Sequence, residues 1–192
     1  MNIKDFSHNL QKLYQEMSDT FSFYQISTGL NCLPSCGRCC MNPEIEASLY
    51  EMIPMALAIY EEGKLSEWIE KIQKSEQNYC LVYLPGKNEG EGKCGRYLER
   101  PGICRMFGVS GYYNKKQEIT LSLCKYIKEE HDLKEIPTNL NPAPPMMVEW
   151  SLRLAGLDPK LIQERLPINL ALLKALEKVA LYMDYESQET PL

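Results

Sequence analysis

Apolar residues Ile3, Phe6, Leu10, Leu13, Tyr14 and Met17 recur at steps of three and four, which predicts an amphipathic helix from Ile3 to Met17. A second helix is expected to start at Asn42, with Asn42 as cap, Pro43 in first position and Glu44 and Glu46 in the first turn. It runs towards Glu62, is kinked or split at Pro54, and closes at Gly63. Ser66 opens a third helix through Gln77, with Trp68, Ile69 and Ile72 facing inward.

The period then changes. Tyr79 to Leu84 is β-branched and aromatic, and the loop Pro85 to Gly90 lets it pair with a short strand leading into Cys94. Val109 to Asn114 and Glu118 to Leu123 flank a Lys115-Lys116 turn as a second hairpin, after which Cys124 opens a helix ending near His131. Asn139 to Pro145 reads as a linker, and helices follow at Met146 to Leu157 and Pro159 to Tyr185, the latter broken at Pro167. The pattern predicts a mainly α (α+β) fold with a Cys-rich, metal-centred core, short β-hairpins in its middle and helices at both ends. It also predicts two segments, 1–138 carrying the cysteines and 139–192 as a helical extension packed on the same domain.

Composition narrows the class. With 192 residues, 44 % hydrophobic and 24 % charged, the chain can bury a core without covalent staples, so its eight cysteines need another explanation. A net charge of −5 speaks against general nucleic-acid binding. The longest uncharged apolar run, Met52 to Tyr60, is half of a membrane span, and the N-terminus lacks a signal-like stretch. A cytoplasmic protein without a membrane partner is expected. There thiols stay reduced, so clustered cysteines point to metal or redox chemistry rather than disulfides.

Cys32, Cys36, Cys39 and Cys40 fall within nine residues of a turn containing Pro34 and Gly37. Cys80, Cys94, Cys104 and Cys124 complete a set that matches two four-thiolate sites or one larger cluster. Adjacent side chains diverge, so Cys39 and Cys40 suit two metals, or two corners of a polynuclear cluster, better than one tetrahedral ion. From Lys93 to Lys125 there are seven basic residues against two acidic ones, a local excess of five positive charges in a chain that is negative overall. Arg100 and Arg105 are expected to offset the charge of buried thiolates from just outside the ligand set. Tyr97, Tyr112, Tyr113 and Tyr126 are expected to pack against the cluster. With only His8 and His131, Cys-His or Ser-His-Asp catalysis has few candidates, and His131 reads as a helix-end residue.

The pattern C-x3-C-x2-C-C, a lone Cys, then C-x2-Y-x2-R-P-x2-C-R-x-F resembles the bacterial YkgJ-type cysteine-cluster family, associated with zinc or iron chelation. The resemblance covers Cys32 to Cys124 and implies metal ligands at Cys32, Cys36, Cys39, Cys40, Cys80, Cys94, Cys104 and Cys124. Tyr97, Arg100, Pro101, Arg105 and Phe107 match its R-P-x-x-C-R signature. An iron-sulfur cluster with a redox or electron-transfer role and a protein redox partner is the first expectation. A zinc-stabilised interaction module is the second. Cys32-x3-Cys36-x2-Cys39 is also similar to the cluster motif of radical S-adenosylmethionine enzymes, and flagellin lysine N-methylases have a similar cysteine cluster. No Gly-rich nucleotide loop supports a methyl-donor site.

Overall fold

The computed structural model describes residues 2–133 and 141–189, with side chains to 186. The boundary expected between residues 138 and 139, and the first part of the proline-rich linker, lie outside these residues. Helix α1 spans Ile3–Thr28. Asn2 caps it by accepting from the amides of Lys4 and Asp5 at 2.8 and 2.9 Å, and Gly29 ends it in the left-handed region at φ 73°. It runs eleven residues past the expected Met17 because Phe21 and Tyr24 extend the same buried stripe and Gly29 is the first breaker.

The helix expected from Asn42 does not form there. Asn42 instead caps a local turn by accepting from the Glu44 amide at 3.0 Å. Glu46–Ala47 forms a short strand, β1, and a 3-10 turn at Tyr50–Met52 leads into α2, Ile53–Glu61. The start signal is a capping box six residues downstream, Ser48-x-x-Glu51. The Glu51 amide donates to Ser48 Oγ at 3.2 Å and the Ser48 amide to Glu51 Oε2 at 3.0 Å. Pro54 sits in the first turn of α2, where its missing N–H is harmless, so it opens the helix instead of kinking it. The predicted helix therefore does not start beside Cys40.

Helix α3, Leu65–Lys74, follows. Next come β2, Tyr83–Pro85, and β3, Gly92–Cys94, antiparallel with Tyr83 opposite Cys94; then α4, Gly102–Arg105. The second hairpin lies where its pattern predicts, β4 at Val109–Tyr113 and β5 at Ile119–Leu123, with Val109 opposite Leu123. Cys124 caps α5, Lys125–Glu130, which ends at His131. Helix α6, Met147–Leu157, a 3-10 turn at Pro159–Ile162, β6 at Leu166–Pro167 and α7, Ile168–Glu189, complete the chain.

The architecture is mainly α with three two-stranded antiparallel sheets among the described residues. Helix α2 is the axis, packed by α1, α3 and α7, and α6 lies against α1. Its mean composition is apolar on nearly every face, which is why Met52, Ile53, Met55, Ala56 and Ile59 are all buried. β1 pairs with β6, Glu46 opposite Pro167 and Ala47 opposite Leu166, joining residues far apart in sequence. A smaller apolar cluster of Tyr24, Leu30, Val109, Leu121, Leu123 and Ile127 sits under the second hairpin.

Candidate metal centre

The first cysteine loop is held on the β2–β3 hairpin through its backbone. Ser35, at φ 55°, accepts from the Gly92 amide at 2.8 Å, and the Gly37 amide donates to the Gly90 carbonyl at 3.3 Å. Gly37 and Gly92 both lie against the Tyr83 ring, and a Cβ at either would overlap it. Tight turns follow, with the Cys40 amide on Gly37, Met41 on Arg38 and Asn42 on Cys39. They coil the chain so that successive thiols face a shared interior.

The other four cysteines arrive from separate elements. The Cys80 amide donates to the Cys40 carbonyl at 3.0 Å, which ties the two halves together directly. Asn169 of α7 grips the chain on either side of Cys80, accepting from the Leu81 amide at 2.9 Å and donating to the Tyr79 carbonyl at 2.8 Å. Cys94 ends β3, opposite Tyr83. Cys104 sits in α4, whose first amide, Gly102, donates to buried Glu51 at 3.2 Å. Glu51 is itself paired with Arg165 at 2.7 Å, and Arg165 also donates to the Glu46 carbonyl at 2.6 Å. The Cys124 amide donates to the Gly108 carbonyl at 2.8 Å. Gly108, at φ +99°, leaves Cys32 Sγ room: a Cβ there would stand 3.0 Å from that sulfur.

Seven of the eight thiols, Cys32, Cys36, Cys39, Cys40, Cys80, Cys94 and Cys104, line one cavity of about 310 Å³. Among the described residues its charged lining groups are Lys93, Arg100 and Arg105, with no carboxylate or imidazole. Cys124 lies instead on the wall of a neighbouring cavity of about 770 Å³, which also meets Cys32, Cys36 and Cys39. All eight are unpaired thiols. Among the described residues, no three or more His, Cys, Asp or Glu side chains close around a single-ion point. A tetrahedral zinc with Zn–S bonds of about 2.3 Å would draw its sulfurs to within about 3.8 Å of each other.

Electrostatics divides the ring. Cys40 shares its proton with the sulfurs of Cys39 and Cys94, so these two thiols ionise readily, lowered to about 6 and about 7, while Cys40 is raised. Burial pushes Cys80 up to about 11 and Cys104 well above the usual thiol value, and raises Cys32, with neighbouring sulfurs adding to each. Arg100 opposes this at Cys32, Cys39, Cys94 and Cys104. Its guanidinium lies 3.7 Å from the Tyr97 ring centroid, and its Nε is buried without a hydrogen-bond acceptor. An orphaned donor beside a ring of sulfurs is the mark of a site built for negative charge.

Arg105 is occupied differently. Its Nε donates to the Arg100 carbonyl at 2.9 Å, and its terminal nitrogens donate to the Tyr14 carbonyl at 3.2 Å, Ser18 Oγ at 2.6 Å and the Leu98 carbonyl. It clamps the segment carrying Arg100 onto α1. The tyrosines expected against the cluster separate in the same way. Tyr97 lines the thiol cavity and Tyr126 the larger one, whereas Tyr112 and Tyr113 are exposed on β4.

Glu51, Arg165 and Asn169 were not singled out by sequence reading. The Ser48-x-x-Glu51 spacing could have found the first; nothing local marks Asn169, which acts across 88 residues. The donor set of thiols, without oxygen ligands, suits a thiophilic metal. No curated protein and no solved structure matches the chain. A family model for the CxxCxxCC group, described as a putative zinc- or iron-chelating domain, matches residues 31–132. That stretch holds every cysteine of the ring and more than half of the sequence, and the chain belongs to this cysteine-cluster, metal-chelating family.

Proposed function

We propose that the protein carries an iron-sulfur cluster and serves in electron transfer or redox support, exchanging electrons with a protein partner in the reducing cytoplasm. The observation that carries this reading is the acid-free cavity of about 310 Å³ ringed by seven thiols, with the Arg100 Nε unpaired at its wall. A polynuclear cluster would draw on more of these seven thiols at once than a single tetrahedral ion, which takes four. Cys39 and Cys40, adjacent in sequence, serve different corners. Bound there, the cluster would supply a one-electron couple; the protein's part is to hold it and set its potential.

Among this chain's own groups, Arg100 and Lys93 offset thiolate charge, Arg105 fixes Arg100 to α1, and Tyr97 backs the guanidinium. Zinc is the second reading. It is favoured by the larger cavity, whose wall collects Cys32, Cys36, Cys39 and Cys124, leaving Cys40, Cys80, Cys94 and Cys104 as a second set of four. Anaerobic purification followed by metal and acid-labile sulfide analysis decides between them. Iron with matching sulfide and broad absorbance near ~400 nm is expected. A colourless protein holding two zinc ions and no sulfide would overturn the redox reading.

A further inference from the structure

We propose that the larger cavity binds a small organic anion with an apolar body, such as an aryl or branched-chain carboxylate, beside Cys32, Cys36, Cys39 and Cys124. At about 770 Å³ it has the size of a drug-like ligand site, several hundred Å³ lined mainly by apolar groups with a few polar ones. Ile103, Met106, Phe107, Leu123 and Met147 form the apolar wall, drawn from α4, the turn after it, β5 and α6. Burying a flat hydrophobic body against them is favourable at roughly 25 cal/mol per Å².

The polar groups converge on one ring. The Arg38 guanidinium carbon lies 4.2 Å and Lys125 Nζ 4.8 Å from the Tyr126 centroid, so two cations from different elements stand on a single aromatic side chain. Neither is in an ion pair among the described residues; the salt bridges involve other residues. Among the described residues Glu89 is the one carboxylate on the wall, against the two cations Arg38 and Lys125. Ser110 and Ser122 face each other across β4 and β5 and both line the cavity, offering hydroxyls to an anionic head.

Orientation follows from charge. Thiolates repel an anion, so its head belongs at the Arg38–Lys125 rim and its body points towards the sulfurs. Cys32 is the exposed member of the eight and Phe107 belongs to both cavities, so a seated ligand abuts the metal centre. The proposal rests on the metal reading for what the sulfurs hold, and not for the binding of the anion.

The test titrates metal-loaded protein with the fluorescent sulfonate 8-anilinonaphthalene-1-sulfonate and with its uncharged counterpart N-phenyl-1-naphthylamine. One equivalent of the sulfonate should bind, about tenfold or more tightly than the neutral dye. Arg38→Glu and Lys125→Glu should each remove that preference, and Glu89→Gln should strengthen it. Ser122→Phe, at an exposed strand position opening on the cavity, should abolish both dyes with metal content unchanged. Should Ser122→Phe disturb metal content, Met147→Trp fills the cavity from the α6 side and should do the same. Equal affinity for the two dyes, no binding, several equivalents bound, or indifference to the filling variants would overturn the proposal. A colourless zinc protein that still selects the sulfonate would sink the iron reading and leave this one standing.

Discussion

The helical frame and the cysteine half of this molecule are stabilised by different means. In the frame, side chains such as Leu10, Met17, Ala56, Ile59, Leu172 and Leu176 are almost fully withdrawn from water, so apolar burial alone favours the fold. In the cysteine-bearing loops and hairpins, residues 31–42 and 79–131, the sheets are two short hairpins, and the separate apolar cluster that they share with α1 holds six buried residues. The contrast predicts a division of labour: the frame should fold on its own account, and the final geometry of these loops should depend on metal.

That contrast is sharpest under metal removal. Structural metal sites contribute on the order of 10 kcal/mol to the domains they hold. Chelation under reducing conditions should abolish amide protection in β2–β3 and the Asn31–Asn42 loop, while the far-UV signal of α1, α2 and α7 persists. Hydrogen exchange read by mass spectrometry checks this. Simultaneous loss of both regions would erase the distinction.

Leu176→Ala, in the frame, should cost about 2–5 kcal/mol in urea unfolding, since Leu176 is 0 % exposed and its removal leaves a cavity. Metal bound per folded molecule should stay unchanged. Next comes the paired comparison of the two arginines. Arg105→Ala loses four hydrogen bonds from a buried cation and should lower stability by about 3 kcal/mol. Arg100→Ala should leave the melting temperature nearly unaltered while weakening metal retention. If the two variants behave alike in both assays, the separate roles assigned to them are wrong.

Glu51 joins the two regions, and Glu51→Gln should cost about 2 kcal/mol, because Arg165, partly exposed, regains some water in compensation. Burial raises the Glu51 pKa, with Arg165 opposing. A carboxyl raised on folding favours the fold most below its unfolded value of 4.5, and that advantage fades as pH climbs through the folded value. The stability gap between native and Gln proteins should therefore widen towards acid, as pH-stepped urea titrations would reveal. The smallest effect is expected at the Arg96–Glu62 pair, where Arg96 holds the exposed Glu62 at about 2. Its contribution is present above 4.5 and lost as pH falls towards about 2, and roughly 1 M salt should erase the difference between native protein and Arg96→Ala.

What could be read from sequence follows the same division. The stripe from Ile3, the alternating strands around Lys115-Lys116 and the cysteine spacing are local patterns, and local patterns predicted α1, β4, β5 and the helix after Cys124. The start of α2 failed because two N-terminal signals compete. Asn42-Pro43-Glu44 is as good a cap as Ser48-x-x-Glu51 by composition, and the pairing of Glu46–Ala47 with Leu166–Pro167, invisible locally, decides for the second. At the candidate site, the residue types were legible but the orientation was not. Arg100 and Arg105 look equivalent in R-P-G-I-C-R, yet only the packing of α1 tells which one keeps a donor unspent.

The bridge from Asn169 to the backbone flanking Cys80 has a temporal implication. A ribosome adding ~5–20 residues per second exposes the first cysteine motif many seconds before Asn169 clears the exit tunnel. Until then the Cys80 loop lacks the grip that Asn169 supplies, so that last tie on the sulfur ring can form only after α7 has emerged.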